Sequence, residues 1–221
     1  MLNHEQSIAN EFNSYMRDRA MMLGYNIHSF SLDGQDRDVG ADYVLSDASR
    51  FALVEFKYQF ANLISEKHKP RRLTLCQGLA SRQDMREYHD SCHFVAWAEL
   101  PAMTMQMNVY RKEICNRRVF GDASGLPDEV AQIVGRVRPR AFVEQFFDHE
   151  YDRSLSLEEF NEYLGWVMTE TSGATQSTVE LIARDPNADD LVLVRLPSVT
   201  SAHDWLQQNW PSQSSGPGPS P

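Results

Sequence analysis

Two runs of β-type residues, Asp42 to Ser46 and Phe51 to Tyr58, flank the short stretch Asp47-Ala48-Ser49-Arg50 and restrict this chain more than any other segment. Their spacing and composition predict a hairpin. Side chains alternate between the two faces of a strand, so Val54 and Phe56 point one way, into a core, while Leu53, Glu55 and Lys57 point the other. Glu55 and Lys57 are therefore expected side by side on one surface of an otherwise apolar strand. The chain has four lysines, and Glu55-Phe56-Lys57 is the one place where an acid stands two residues before a lysine. Asp42, following Gly40-Ala41, starts the partner strand, where the twist of the pair brings its carboxylate beside Glu55.

The surrounding pattern predicts a mixed α/β fold (an α+β mixture), a central mixed β-sheet flanked by helices. Ile8, Phe12, Tyr15, Met16, Arg19, Met22 and Leu23 recur at helical spacing, which predicts an amphipathic helix over 5–23 ending at Gly24. Tyr25 to Leu32 alternates as a strand does, and Asp33 to Gly40 reads as a polar loop. Leu73 to His89 reads as a helix and His93 to Ala98 as a buried strand. The order is α-β-β-β-α-β. Beyond residue 100, residues 103–117 suit either a helix or a strand. Pro127 to Val137 and Arg140 to Asp148 read as short helices, and Ser156-Leu157-Glu158-Glu159 opens a helix to about Thr171, with acids placed for its first turn. Val179 to Ala183 and Leu191 to Leu196 form a second expected hairpin, and Ala202 to Trp210 a last helix. This divides the chain into a core over 1–120, a mainly helical acidic extension over 121–210 packed on it, and a disordered tail over 211–221, whose Ser/Gly/Pro composition cannot build a core.

A net charge of −10 at first argues against a nucleic-acid partner. The charge is unevenly spread. Residues 1–138 hold 18 acidic and 17 basic side chains, and the remainder holds 13 and 4. Within the near-neutral part, Lys67, Lys69, Arg71 and Arg72 face Glu66 alone between residues 58 and 72, and they suit phosphates on either side of a cut. Arg111, Lys112, Arg117 and Arg118 form a second basic cluster. Cys76, Cys92 and Cys115 are odd in number and widely spaced, and they read as reduced thiols of a cytoplasmic protein. No apolar run approaches the roughly 20 residues of a membrane helix, and the N-terminus does not read as a signal peptide. There is no phosphate-binding glycine loop of the Walker type, no dinucleotide fingerprint and no Gly-x-Ser-x-Gly.

Two carboxylates plus a backbone carbonyl are hard oxygen ligands suited to Mg²⁺ or Mn²⁺. A lysine beside them would orient or deprotonate a water and stabilise developing charge. With this set, the region 5–100 resembles the PD-(D/E)XK nuclease superfamily (restriction-endonuclease-like fold). The resemblance makes Asp42 and Glu55 the metal-binding acids and Lys57 the catalytic lysine. It makes Glu11, on the first helix, the extra acid that many members place near the metal, and it puts Gln77 where some members hold a polar site residue. Ala41 departs from the proline that precedes the first acid.

The implied activity is Mg²⁺- or Mn²⁺-dependent phosphodiester hydrolysis, on DNA more than RNA, in the setting of a bacterial defence or restriction effector. The acidic C-terminal third would serve a protein partner or a homo-oligomer, with no membrane involved. Two other readings stay open: a non-catalytic member of the fold acting as an interaction subunit, and an acidic mimic of nucleic acid.

Overall fold

The computed structural model describes residues 4–32, 39–47, 49–69, 71–99, 104–128, 134–148, 153–169, 179–185, 190–196, 201, 204 and 208. At its centre the expected hairpin joins β2 (Tyr43–Ser46) to β3 (Arg50–Gln59), antiparallel with Tyr43 opposite Val54 and Ser46 opposite Phe51. Asp47 closes the turn: its Oδ1 accepts from the backbone N–H of Ser49 (2.9 Å) and of Arg50 (2.7 Å), the local bonding that favours aspartate at turns.

The sheet runs β1-β2-β3-β4-β5, with β1 at His28–Ser31, β4 at His93–Glu99 and β5 at Thr104–Val109. The β3–β4 pair is parallel and the other neighbours are antiparallel, so the sheet is mixed. Helix α1 (His4–Met22) precedes it. A 3-10 helix (Phe60–His68), α2 (Arg72–Ser81) and α3 (Gln83–Cys92) form the crossover between β3 and β4.

The segment expected as one helix over 73–89 is thus two helices that meet at Arg82, whose backbone is extended. Ser81 Oγ donates to the Gly78 carbonyl at 2.9 Å, competing with the backbone ladder. Asp84 then sits in the first turn of α3, where a carboxylate suits the helix dipole.

After β5 come α4 (Tyr110–Ile114), α5 (Arg117–Phe120), α6 (Pro139–Phe147), β6 (Leu155–Ser156) and α7 (Leu157–Val167). Ser156 and Glu159 form the expected cap at the start of α7, the Ser156 N–H donating to Glu159 Oε2 at 3.0 Å and the Glu159 N–H to Ser156 Oγ at 3.3 Å. Val134 to Val137, expected as the end of a helix, is instead a turn and a bridge from Val137 to Met107; residues 129–133 lie outside the described residues. The second hairpin forms as β7 (Val179–Asp185) and β8 (Asp190–Leu196). Of the helix expected at 202–210 only Asp204 and Gln208 are described, and the tail over 211–221 lies outside.

Two hydrophobic layers sandwich the sheet. On one face Ala52, Val54 and Phe56 meet Phe12 and Met16 of α1 and Phe142 and Phe146 of α6. On the other, Leu53, Val95 and Trp97 meet Leu75 and Leu79 of α2 and Phe160 and Tyr163 of α7. Residues after 120 therefore complete both layers, and β6 adds to the sheet by pairing with the start of β3. Cys76 and Cys115 form a disulfide that ties α2 to the end of α4 (Cα–Cα 5.1 Å), which overturns the expectation of three reduced thiols. Cys92 alone is free, and it is buried. Among the described residues no helix is long and apolar enough to cross a membrane.

Candidate active site

Continuing the β2–β3 register by one residue places Asp42 opposite Glu55. Its backbone is pinned on both sides: the Asp42 N–H donates to the Val54 carbonyl (3.0 Å), and the Asp42 carbonyl accepts from the Leu32 N–H (2.8 Å). Its Oδ2 accepts from the Phe56 N–H at 2.7 Å. Glu55 and Lys57 leave the same face of β3, and Lys57 Nζ donates to Glu55 Oε1 and to the Phe56 carbonyl, the latter at 3.0 Å. The three residues singled out from sequence therefore converge.

They do not lie on a surface. Glu55 is 0% exposed and Lys57 2%, because the 3-10 helix and α2 fold over this face of the sheet. The cover carries its own charges. Lys69 Nζ reaches Glu55 Oε1, and Glu66 Oε1 lies 3.0 Å from Lys57 Nζ and 3.1 Å from Lys69 Nζ. Glu66 Oε2 accepts from Arg72 Nε (3.1 Å) and from the Tyr110 hydroxyl (2.6 Å). Between Lys69 and Arg72, Arg71 takes a left-handed backbone, φ 73°, uncommon for a residue with a side chain. Past this bend Arg72 reaches back to Glu66.

The electrostatics follow from burial. Loss of solvent raises the Glu55 pKa first, the Glu66 and Asp42 charges add to it, and Lys57 and Lys69 offset part, leaving it at about 7. Burial likewise raises Asp42, against the pull of Lys57. Burial would lower Lys57, but Glu55, Glu66 and Asp42 outweigh it and hold the ammonium above its ordinary value. In this arrangement Lys57 is held as a cation by its carboxylate neighbours. Burial also disfavours the charge on Glu66, yet Lys57, Lys69, Arg72 and the Tyr110 hydroxyl keep it well below the usual carboxylate range.

Whether these residues fit a divalent ion turns on their free oxygen atoms. Among the described residues Glu55 Oε2 is buried with no hydrogen-bond partner, which is costly unless a cation or water meets it. Among the described residues no three His, Cys, Asp or Glu side chains gather in metal-ligand geometry. An ion held by Asp42 and Glu55 would then complete its shell with the Phe56 carbonyl and water, which is ordinary for Mg²⁺. On that donor set the residues fit.

Three sequence assignments change, those of Glu11, Gln77 and Arg72. Glu11 is exposed on α1 and lines a separate cavity of about 420 Å³ with Tyr15, Met105 and Arg138. The α1 acid nearest the cluster is Glu5. It lines a cavity of about 180 Å³ with Gln6, Ala9 and Asp42, and its Oε1 accepts from the Tyr58 N–H at 3.3 Å. Helical phase held the signal, since Glu5 lies four residues before buried Ala9, whereas Glu11 does not share that face. Gln77 donates to the Ser124 carbonyl (2.9 Å) and braces α2 instead of joining the site.

Of the basic run, Arg72 is 1% exposed and committed to Glu66, so it is no phosphate contact. Lys67 is exposed, Arg71 is half-buried, and Lys69 keeps 27% of its side chain exposed while bridging both glutamates. The second basic cluster is largely structural: Arg111 pairs with Asp90, and the Arg118 guanidinium stacks on Phe60 (4.9 Å). Glu66 and Tyr110 were missed. Glu66 was visible only as the single acid within a basic run.

No protein-family model, no curated protein and no solved structure matches the chain.

Proposed function

We propose that this chain hydrolyses phosphodiester bonds of nucleic acid, DNA in preference to RNA, with Mg²⁺ or Mn²⁺ held by Asp42 and Glu55. The observation that carries the reading is one buried cluster in which Glu55 pairs with the Lys57 ammonium, Asp42 stands opposite Glu55 on the adjacent strand, and Glu55 Oε2 has no hydrogen-bond partner among the described residues. Folding gains little from such an arrangement, because buried ion pairs can often be replaced by well-packed apolar residues at no loss. Titratable groups shifted by burial and by one another, as these are, are enriched at functional sites. A bound divalent ion would polarise the phosphate and lower the pKa of a water.

The chain's own groups supply the rest. Asp42 is aimed by the Phe56 N–H. Lys57, charged and fixed by Glu55 and Glu66, orients the water and offsets charge building on the phosphate. Lys69, the cluster's most exposed cation, meets the incoming backbone, and Lys67 and Arg71 flank it. Substrate reaches Glu55 only when Lys69 and the 3-10 helix give way, so the resting state is closed.

Purified protein with plasmid DNA and Mn²⁺ tests this. Cleavage is expected, and Glu55→Ala and Lys57→Ala are expected to lower it at least roughly a hundredfold. Cleavage that survives both substitutions sinks the assignment. A second reading, a non-catalytic interaction subunit, is favoured by the near-zero exposure of Glu55 and Lys57. It gains if the protein takes up no Mn²⁺ by calorimetry and copurifies stoichiometrically with another chain.

A further inference from the structure

Behind the charged cluster, and unused by it, lie three buried polar rings: His89 at the end of α3, His93 at the start of β4 and Tyr163 on α7, each 0% exposed. Their bonds form one chain. The Arg111 N–H donates to His89 Nε2 (3.1 Å); His89 Nδ1 meets the Tyr163 hydroxyl (2.6 Å); that hydroxyl meets His93 Nδ1 (2.9 Å); and His93 Nε2 meets the Gly40 carbonyl (2.8 Å). A backbone N–H at one end and a carbonyl at the other leave one consistent proton arrangement for neutral imidazoles. His89 Nε2 must accept, so its Nδ1 carries the proton and donates to the tyrosine oxygen. His93 Nε2 must donate to Gly40, so its Nδ1 is bare and accepts from the Tyr163 hydroxyl. Burial lowers both histidines, His93 to about 3 and His89 well below its ordinary value, so the chain is neutral at physiological pH.

The far end of this chain is the turn before Asp42. Gly40 has φ +89°, and a Cβ there would stand 3.0 Å from Arg72 Nη1 and 3.2 Å from His93 Cε1. One glycine thus lets the imidazole that grips its carbonyl and the guanidinium that holds Glu66 close on the same turn. We propose that Tyr163, acting through His93 and itself oriented by His89, is the positioning residue that sets this turn, and with it the spacing between Asp42 and the Arg72–Glu66 side of the site. A helix from the acidic C-terminal third thereby completes the support of a site whose charged residues all lie before residue 111. This rests on the phosphodiesterase reading for its consequence, but not for its geometry.

Tyr163→Phe removes one oxygen and keeps the ring. It leaves His93 Nδ1 and the His89 Nδ1–H buried without partners. Histidine ¹⁵N NMR of the wild type is expected to show His89 protonated at Nδ1 and His93 at Nε2. In Tyr163→Phe, amide exchange of residues 41 and 42 is expected to quicken at least tenfold with little change in β4. Cleavage kcat is expected to fall at least tenfold with KM within twofold. Phe160→Leu, an apolar change on the same helix, serves as control for general loosening. Should Tyr163→Phe not fold, His93→Gln, which keeps a donor for the Gly40 carbonyl, is expected to retain most of the kcat that His93→Leu loses.

Reversed tautomers overturn the proposal. So does unchanged exchange at residues 41–42, or a loss of kcat matched by Phe160→Leu. Wild-type protein that cuts no nucleic acid would remove the phosphodiesterase reading alone, and the tautomers and exchange rates would still decide the positioning of the turn.

Discussion

β3 is buried on both faces, but by different means. Towards α1 and α6 it offers Ala52, Val54 and Phe56 to other apolar side chains, Phe12 meeting Phe56 with ring centroids 5.2 Å apart. Towards the 3-10 helix and α2 it offers Leu53 and then Glu55 and Lys57, which meet Glu66 and Lys69, with Arg72 holding Glu66 in turn. The first face stabilises by removing area from water and by close packing. The second gives up that gain and replaces it with ion pairs whose desolvation offsets their attraction. One strand thus carries an apolar layer on one side and a buried charged cluster on the other, and substitutions on the two sides separate what each contributes.

The largest stability effect is expected on the apolar side. Phe56→Ala leaves a cavity among Phe12, Tyr43 and neighbouring side chains and is expected to destabilise by roughly 3–5 kcal/mol in denaturant unfolding. A loss below about 1 kcal/mol would mean that this layer does not hold the sheet.

On the charged side Glu66→Gln comes next. It leaves Lys57, Lys69 and Arg72 short of a counter-charge in a buried setting, and breaking such a pair costs about 3 kcal/mol. The pH dependence fixes its sign. The pKa of Glu66 is lowered in the folded protein, so its contribution is present above about 4.5 and is lost as pH falls. The gap between Glu66→Gln and wild type should therefore be widest near pH 7 and narrow towards pH 3. A gap independent of pH would show that Glu66 acts through shape and not charge.

How much of this was legible depended on the range of the interaction. The period-two alternation of residues 51–58 and the helical spacing of 8–23 are local signals, and they placed the hairpin, α1 and the convergence of Asp42, Glu55 and Lys57. The cover was not legible, because Phe60 to Lys69 has neither period, and a 3-10 helix of this length is uncommon. Without the cover, Glu55 and Lys57 read as surface residues. The Cys76–Cys115 pair spans 39 residues with no spacing motif, and Tyr163 reaches His93 across 70. Contacts at that separation leave no trace in a local pattern. Glu5 is a different kind of miss, because helical phase pointed to it and the resemblance pointed to Glu11.

Glu55→Gln should give the smallest change, and its direction separates the two faces most sharply. The folded-state pKa of Glu55, about 7, lies above its ordinary 4.5, so the protonated form is favoured on folding. Its stabilising contribution is fully present below about 4.5 and is lost as pH rises through 7. Glutamine copies the protonated carboxyl. With EDTA present, Glu55→Gln and wild type should unfold at similar temperatures at pH 5, and the variant should be the more stable by on the order of 1–2 kcal/mol at pH 8.5. Millimolar Mn²⁺ should reverse that order, since only the wild type keeps the carboxylate that an ion stabilises by binding the folded state. A variant less stable than wild type at both pH values, with or without Mn²⁺, would mean that Glu55 serves Lys57 as a structural partner, and that the charged face of β3 holds the fold as its apolar face does.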